Sequence, residues 1–412
     1  MSEPFANLPG IRSSKIGHHQ LIVLGNGFDL ECGLPTRFSH FFEPRLNALK
    51  TQNWKKTGRL YSLGYEASPT VWDFLLRSKM YSPWYSVEDA IHDLVLSAGD
   101  GRNDATGIAS KLISRIYELA TAEDRTAFHP DDNALDSPDE KDLLDNVSEF
   151  VAIDCADKLR AADEPWSPQD FVDYLGAQLS KLENNFSNYM SSITDNNDDY
   201  ETLSFSLLGS MLSDEWAPDE KLILSTTVLS FNYTNPFKDT IGKSDAVRII
   251  NVHGDLDDGI IFGIDGTKCA DNPLAFPFSK TYRVITAGTD FGKGAVRTSD
   301  GKLLSHETRI VKFYGHSLGE ADYAYFQAIF DSVNLYASDT KLIFYYKPHH
   351  KPGEDAGDYR LSEKRARNTM TARVTKLLAE YGKTLDNEDH GRNLMHKLMI
   401  EGRLEVRLLK DE

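Results

Sequence analysis

The chain has 412 residues, 40% of them hydrophobic and 11% aromatic, and its 45 basic and 63 acidic residues leave a formal net charge of −18. That length and apolar content allow two or three domains, or one large domain with an insertion, and exclude disorder throughout. Such an acidic surface gains nothing from phosphate backbones or anionic lipid, which disfavours nucleic acid and membrane as partners.

An anionic small ligand would also be repelled at long range. Its site must supply local positive potential from backbone N–H groups or a helix N-terminus. The three cysteines, Cys32, Cys155 and Cys269, are far apart and form no C-x-x-C pair, so neither a zinc ribbon nor a thioredoxin-type centre is expected. The opening "MSEPFANLPGIRSSKIGHHQ" has no apolar leader core, and no stretch approaches the length of a membrane span. The expectation is a cytoplasmic protein with reduced thiols and no metal.

"QLIVLGNGFDL" opens the structured part as an apolar run ending in glycines, the pattern of a buried strand feeding a tight loop. Its continuation, "GNGFDLECGLPT", puts glycines at 25, 27 and 33 after that strand, beside Asn26 and Asp29, and then Pro35 and Thr36. Glycines there allow close approach of the backbone to a ligand, although the spacing is not G-x-G-x-x-G. A plain strand–loop–helix turn is the other reading.

A long stretch of helical periodicity follows. Ser86 and Asp89 form a capping-box pattern, and Ser167-Pro168 opens the strongest helix. In that helix Phe171, Leu175, Leu179, Leu182, Phe186 and Met190 recur at helical spacing. Residues 123–142, with eight acids, two bases and two prolines, read as an exposed loop. Glu88 and His92, four apart on a helix, have a metal-ligand spacing, but a solvated helix face is the simpler account.

From about residue 222 strand patterns follow in quick succession: "LILSTTVLSF", "VRIINVH", "GIIFGI", "TRIVKFY", "KLIFYY" and "RLEVRLL". Several are apolar throughout, and helical stretches separate some of them. This predicts an α/β, doubly wound and mainly parallel sheet whose first strand is cut off by a large helical insertion. The expected division is 18–42 for the first strand, glycine loop and helix, 43–220 for the insertion, and 221–412 for the rest of the α/β core.

Polar groups recur where these strands end. "LSFNYTNPF" leaves Asn232, Tyr233, Thr234 and Asn235 at a carboxyl end, and "NVHGDL" leaves His253 and Gly254. Open parallel sheets bind ligands at that edge. "YGHSLGEADYAYF" contains Gly315-His316-Ser317-Leu318-Gly319, which matches the G-x-S-x-G elbow of serine hydrolases. A hydrolase would complete its triad with Asp339 or Asp386 and His390 or His396. Against this, Glu320 and Asp322 follow where an elbow needs small residues, and the glycine loop and "FNYT" would have no role. Two further features read as ordinary. Residues 360–376 carry six bases and one acid, a solvated helix face opposite Met370, Val374, Leu377 and Leu378. His349-His350, between two Lys-Pro pairs, read as a turn.

"VLGNGFDLECGLPT", "LSFNYTNP", "NVHGDL", "IIFGID" and "YGHSLGEADYAYF" occur in the order seen in the AbiH family of bacterial abortive-infection proteins, and the chain resembles that family from about His18 onward. Short stretches also resemble the sirtuin-like NAD-binding fold. Its G-A-G-x5-G-I-P is similar to Gly25, Gly27, Gly33, Leu34 and Pro35. Its T-x-N-x-D is similar to Ser230, Asn232 and Thr234, its H-G to His253-Gly254, and its G-T-S loop to Gly315-His316-Ser317. Asp29 departs from a sirtuin serine, the sirtuin arginine falls on Phe38 with Arg37 one residue away, and the cysteine zinc module is missing, which argues against a protein deacylase.

The resemblance implies a Rossmann-like, sirtuin-type fold and an anti-phage NAD hydrolase that cleaves the nicotinamide–ribose bond. NAD is then substrate or ligand. Asn232 and His253 are the implied catalytic residues; Gly25, Asn26, Gly27, Phe28, Asp29, Arg37, Tyr233, Gly315, His316 and Ser317 are the implied nucleotide-binding ones. Asp29, as a carboxylate, suits ribose hydroxyls or a backbone cap better than phosphate. A homo-oligomer or a phage-derived trigger is the further partner. A nucleotide sensor without turnover, the serine hydrolase, and a toxin with another target remain alternatives.

Overall fold

The structure, a computed structural model, describes residues 16–78, 87–88, 91–92, 108–121, 138–155, 166–214, 223–238, 247–264, 266, 274–286, 308–319, 322–348, 356–385 and 388–410. The chain divides into two compact units. The first comprises residues 1–35, 196–255 and 292–412; the second comprises 36–195 and 256–291. Against the expected insertion at 43–220, the division runs at 35/36 and 195/196, and residues 256–291 join the second unit.

The first unit holds a six-stranded sheet of β1 (Ile16–Leu24), β2 (Ile223–Ser230), β3 (Val247–Asn251), β4 (Thr308–Tyr314), β5 (Lys341–Tyr346) and β6 (Leu404–Leu408). All neighbours pair in parallel, in the order β3-β2-β1-β4-β5-β6. This is the strand order of the Rossmann-like doubly wound α/β fold, which reverses direction between β1 and β4. The inner strands carry apolar runs where both faces are covered. Leu21, Ile22, Val23 and Leu24 are all buried.

One face, with Leu21, Val23, Val311, Phe313, Leu342 and Phe344, packs against Phe326, Ile329 and Phe330 of the helix Tyr323–Ser332 and against the helices Ala356–Gly382 and Glu388–Ile400. The other face meets the helix Tyr200–Ser213, where Lys312 acts as a cap. Its buried Nζ donates to the Met211 and Asp214 carbonyls, at 2.6 Å each. A cation there satisfies the orphan carbonyls of a helix C-terminus and complements its dipole. That explains a buried lysine between the apolar Val311 and Phe313 of "TRIVKFY". The six cations of 360–376 lie on the helix Ala356–Gly382, whose Met370, Val374, Leu377 and Leu378 are buried as expected.

The second unit is helical. Its longest element, Pro168–Asp195, opens with the expected cap: the Ser167 hydroxyl and N–H both bond Asp170 Oδ2, at 2.6 and 2.9 Å. All six periodic residues from Phe171 to Met190 are buried. Arg45 and Asp73, both fully buried, form a bidentate pair at 2.8 and 2.9 Å, and Asp73 also accepts the Thr70 N–H at the start of the helix Val71–Arg77.

Two expectations are corrected. "GIIFGI" contributes only the two-residue strand Gly259–Ile260 and no strand of the large sheet. Its buried apolar residues belong to the second unit, where the Phe262 N–H donates to Glu183 and the Ile264 N–H to the Phe278 carbonyl. Residues 138–142 are helical, at the start of Pro138–Asp154, rather than loop. The remainder of that loop at 123–137, the Ser86–Asp89 box, Cys269 and the His349-His350 turn lie outside the described residues.

Candidate functional site at the carboxyl edge of the sheet

The four motifs end in one row. Leu24 is in register with Ser230 of β2 and Tyr314 of β4, and Ser230 with Asn251 of β3. The residues that follow each of these positions therefore emerge side by side: Gly25–Gly27, Phe231–Asn235, Val252–His253 and Gly315–Ser317. β1 and β4 are the pair at which the strand order reverses, where open sheets form a ligand crevice.

The glycines at this edge serve backbone packing. A Cβ on Gly25 would lie 2.5 Å from His316 Cα, and one on Gly27 would lie 2.6 Å from Gly315 Cα. Gly315 has φ +73°, and a Cβ there would lie 2.4 Å from the Phe28 nitrogen. The Gly25 N–H donates to the Tyr314 carbonyl at 3.0 Å, and the Gly27 N–H to the Gly315 carbonyl at 2.8 Å. The close approach is thus to another loop, and of the amides of Gly25, Asn26 and Gly27 expected to face a diphosphate, those of Gly25 and Gly27 are already bonded. Asn26 is exposed between them. Phe28 is buried 6.0 Å from the Phe237 ring, as a core residue.

Asp29 is also internal. Its buried carboxylate accepts the Tyr200 hydroxyl at 2.9 Å, the Thr234 hydroxyl at 2.8 Å and the Asn232 amide at 3.4 Å. Its oxygens thus tie the glycine loop to the "FNYT" loop. Burial raises its pKa to about 6, against the lowering effect of Thr234 and Tyr200. Asn251 completes the loop by donating to the Asn232 and Thr234 carbonyls at 2.8 and 2.9 Å. Asn232 is buried, and its Oδ1 has no hydrogen-bond partner among the described residues. Tyr233, next to it, is half-buried.

His253 and His316 converge on a single carboxylate. His253 Nε2 lies 3.2 Å from Asp322 Oδ1, and His316 Nε2 lies 3.4 Å from Asp322 Oδ2. Both rings are buried, and both meet the edge of Phe231, with centroids 5.5 and 4.6 Å away. Tyr325 closes on His253 at 5.4 Å. His253, hydrogen-bonded to a carboxylate within an aromatic wall, is placed to take up a proton.

Ser317 is exposed two residues after the left-handed Gly315, the strained non-glycine position is Leu318 rather than the serine, and the next helix starts only at Tyr323. Neither nitrogen of the adjacent His316 serves it, because Nδ1 accepts the Leu318 N–H at 2.9 Å and Nε2 faces Asp322. Asp339 precedes β5 at the opposite edge of the sheet and pairs with Arg309, and His396 is exposed. Asp386 and the His390 side chain lie outside the described residues. Among the described residues, therefore, the hydrolase reading finds no base hydrogen-bonded to its serine.

Arg37 is exposed and belongs to the second unit, where it precedes the helix Phe38–Lys50. Glu88, read as half of a metal spacing, pairs with Lys280 at 2.6 Å. No group of three metal-ligating side chains occurs among the described residues, and no described helix is long and apolar enough to cross a membrane.

Sequence reading missed Asp322, Asn251, Tyr200 and Tyr325. Asp322 occupies the N-cap of the helix Tyr323–Ser332 yet makes no cap hydrogen bond, since its oxygens face the two histidines. An acid at a cap position just after a Gly-His loop was the available signal.

A family model described as bacteriophage abortive infection AbiH matches residues 21–346, and the chain belongs to that family. No curated protein and no solved structure matches it.

Proposed function

We propose that this AbiH-family chain acts in phage abortive infection by cleaving the nicotinamide–ribose bond of NAD at the carboxyl edge of its sheet. The observation that carries this reading is the register row, which assembles Asn232, His253, the glycine loop and the Gly315–Ser317 loop at the point where strand order reverses. The motif resemblance to sirtuin-like domains supplies the choice of nucleotide.

Nicotinamide leaves NAD as a neutral molecule, so the departing ring needs no strong acid. A water oxygen attacks the ribose C1′ as the C–N bond breaks, and the bond's electron pair stays with the departing ring. His253 takes the proton of the attacking water, and the products are nicotinamide and ADP-ribose. Asn232 Oδ1, buried without a partner, accepts from that water or from a ribose hydroxyl. With the Gly25 and Gly27 amides bonded, the diphosphate is left to the exposed Asn26 and Ser317 at the rim.

The test is NAD consumption by the activated protein. Wild type should convert NAD to ADP-ribose and nicotinamide, and His253→Ala should lower the rate by about 10²–10⁴-fold while still binding ADP-ribose. Unchanged NAD in cells undergoing abortive infection would refute the cleavage, and retained ADP-ribose binding would then mark the site as a sensor.

A further inference from the structure

The two histidines that share Asp322 do not have the same freedom. His316 Nδ1 accepts the Leu318 backbone N–H at 2.9 Å, which requires that nitrogen to be unprotonated. The proton of the neutral ring is therefore on Nε2, facing Asp322 Oδ2 at 3.4 Å. His316 cannot accept a second proton without giving up a bond that holds Leu318 in its left-handed conformation, at φ +56°. One carboxylate oxygen thereby faces an N–H whose tautomer is locked. The other oxygen lies 3.2 Å from His253 Nε2. Asp322 makes no cap bond to its own helix, and its two oxygens face these two rings.

We infer that Asp322 is a positioning residue that keeps the proton of His253 on Nε2 and leaves Nδ1 as the proton-accepting nitrogen, with the locked Nε2–H of His316 facing its other oxygen. The inference rests on the assignment of His253 as base in the reading above. It also gives the "GHSLG" letters a role without a nucleophile: the histidine of the pentapeptide stands beside the carboxylate that positions His253.

The experiment reads tautomers directly, in the full chain labelled with ¹⁵N-histidine, from imidazole ¹⁵N–¹H correlations at neutral pH. His253 and His316 should both carry the proton on Nε2. In Asp322→Asn the side-chain oxygen should turn to His316, whose proton is locked, so the NH₂ faces His253 Nε2 and drives its proton to Nδ1. NAD cleavage should fall with that change by on the order of 10²–10⁴-fold, as expected for a base held in the wrong tautomer.

A wild-type His253 protonated on Nδ1, or a His253 tautomer unchanged in Asp322→Asn, would overturn the inference. If Asp322→Asn does not fold, the wild-type spectrum decides alone. Wild-type protein with the stated tautomers and no NAD cleavage would sink the hydrolase reading while the positioning role stands.

Discussion

The two ends of the sheet each bury histidine, and they treat it in opposite ways. Toward the amino end, His19 of β1 lies between two hydroxyls, with Nδ1 2.7 Å from Thr308 Oγ1 and Nε2 2.9 Å from Thr227 Oγ1. A neutral ring has one donor and one acceptor, and a hydroxyl can answer either, so the pair satisfies the uncharged form. Burial lowers the pKa of His19 to about 4, and the ring is a structural cross-strand tie at neutral pH. At the carboxyl end His253 and His316 face a carboxylate instead, among loops rather than strands. Partner chemistry separates the two. Hydroxyls hold a neutral imidazole at both nitrogens, whereas at the carboxyl edge the carboxylate can stabilise a proton taken up by His253, while His316 keeps Nδ1 for the Leu318 N–H.

The comparison is most severely broken at the glycines, because the carboxyl edge depends on two loops touching through their backbones. Gly27→Val would force a branched side chain to within 2.6 Å of Gly315 Cα, and Gly315→Ala would add left-handed strain to a 2.4 Å approach to Phe28. Neither neighbour is a flexible side-chain end, so each should cost on the order of 3 kcal/mol or more. Urea denaturation should show a lowered midpoint for both. A control at Gly58, left-handed but with nothing within 4 Å of an added Cβ, should lose only about 1 kcal/mol or slightly more. Equal losses at all three sites would refute the loop-packing account.

How legible this site was depended on the range of the interactions. The strand ends were readable because apolar runs stop at Gly25, Asn232 and Gly315, and a parallel sheet aligns those ends. Asp29 was not, because its role comes from Tyr200, 171 residues away, and from Thr234, 205 away. "GIIFGI" has the right residues for a central strand, but its backbone bonds Glu183 and Phe278 in the helical unit, which an apolar run cannot announce. The elbow pentapeptide has the letters of a hydrolase because glycine, histidine and serine suit any tight turn after a strand. What a ring nitrogen bonds is decided by tertiary partners.

A second test sharpens the comparison through pH. His19 falls from 6.5 unfolded to about 4 folded, so the stability it contributes is complete above pH 6.5 and is lost as pH falls toward 4. Asp29 rises from 3.8 to about 6, so its penalty is absent below pH 3.8 and grows as pH rises through 6. Each shift corresponds to roughly 3 kcal/mol across its window. The signs oppose over nearly the same range, so the two should largely offset each other in the wild type. His19→Gln should therefore make stability rise as pH falls from 6 to 4, and Asp29→Asn should make it fall over that range. Denaturation midpoints at several pH values, compared with wild type, provide the check. Parallel curves for the two variants would show that these groups do not govern the acid response.

The smallest expected effect is at Ser317, and its smallness is informative. The hydroxyl is exposed, and the nearest imidazole in sequence has both nitrogens directed elsewhere, one to Leu318 and one to Asp322. Ser317→Ala should leave stability within about 0.5 kcal/mol of wild type, as for surface substitutions generally. A serine with no base at its side remains a weak nucleophile, so fluorophosphonate reagents should leave it unlabelled. His316→Ala, one residue away, should act differently, releasing Leu318 and freeing one oxygen of Asp322. If it disturbs the His253 resonances while Ser317→Ala leaves them in place, the edge is organised around the histidine of the pentapeptide. Stoichiometric labelling of Ser317 would instead mean that a base reaches it from outside the described residues, and the hydrolase reading would return.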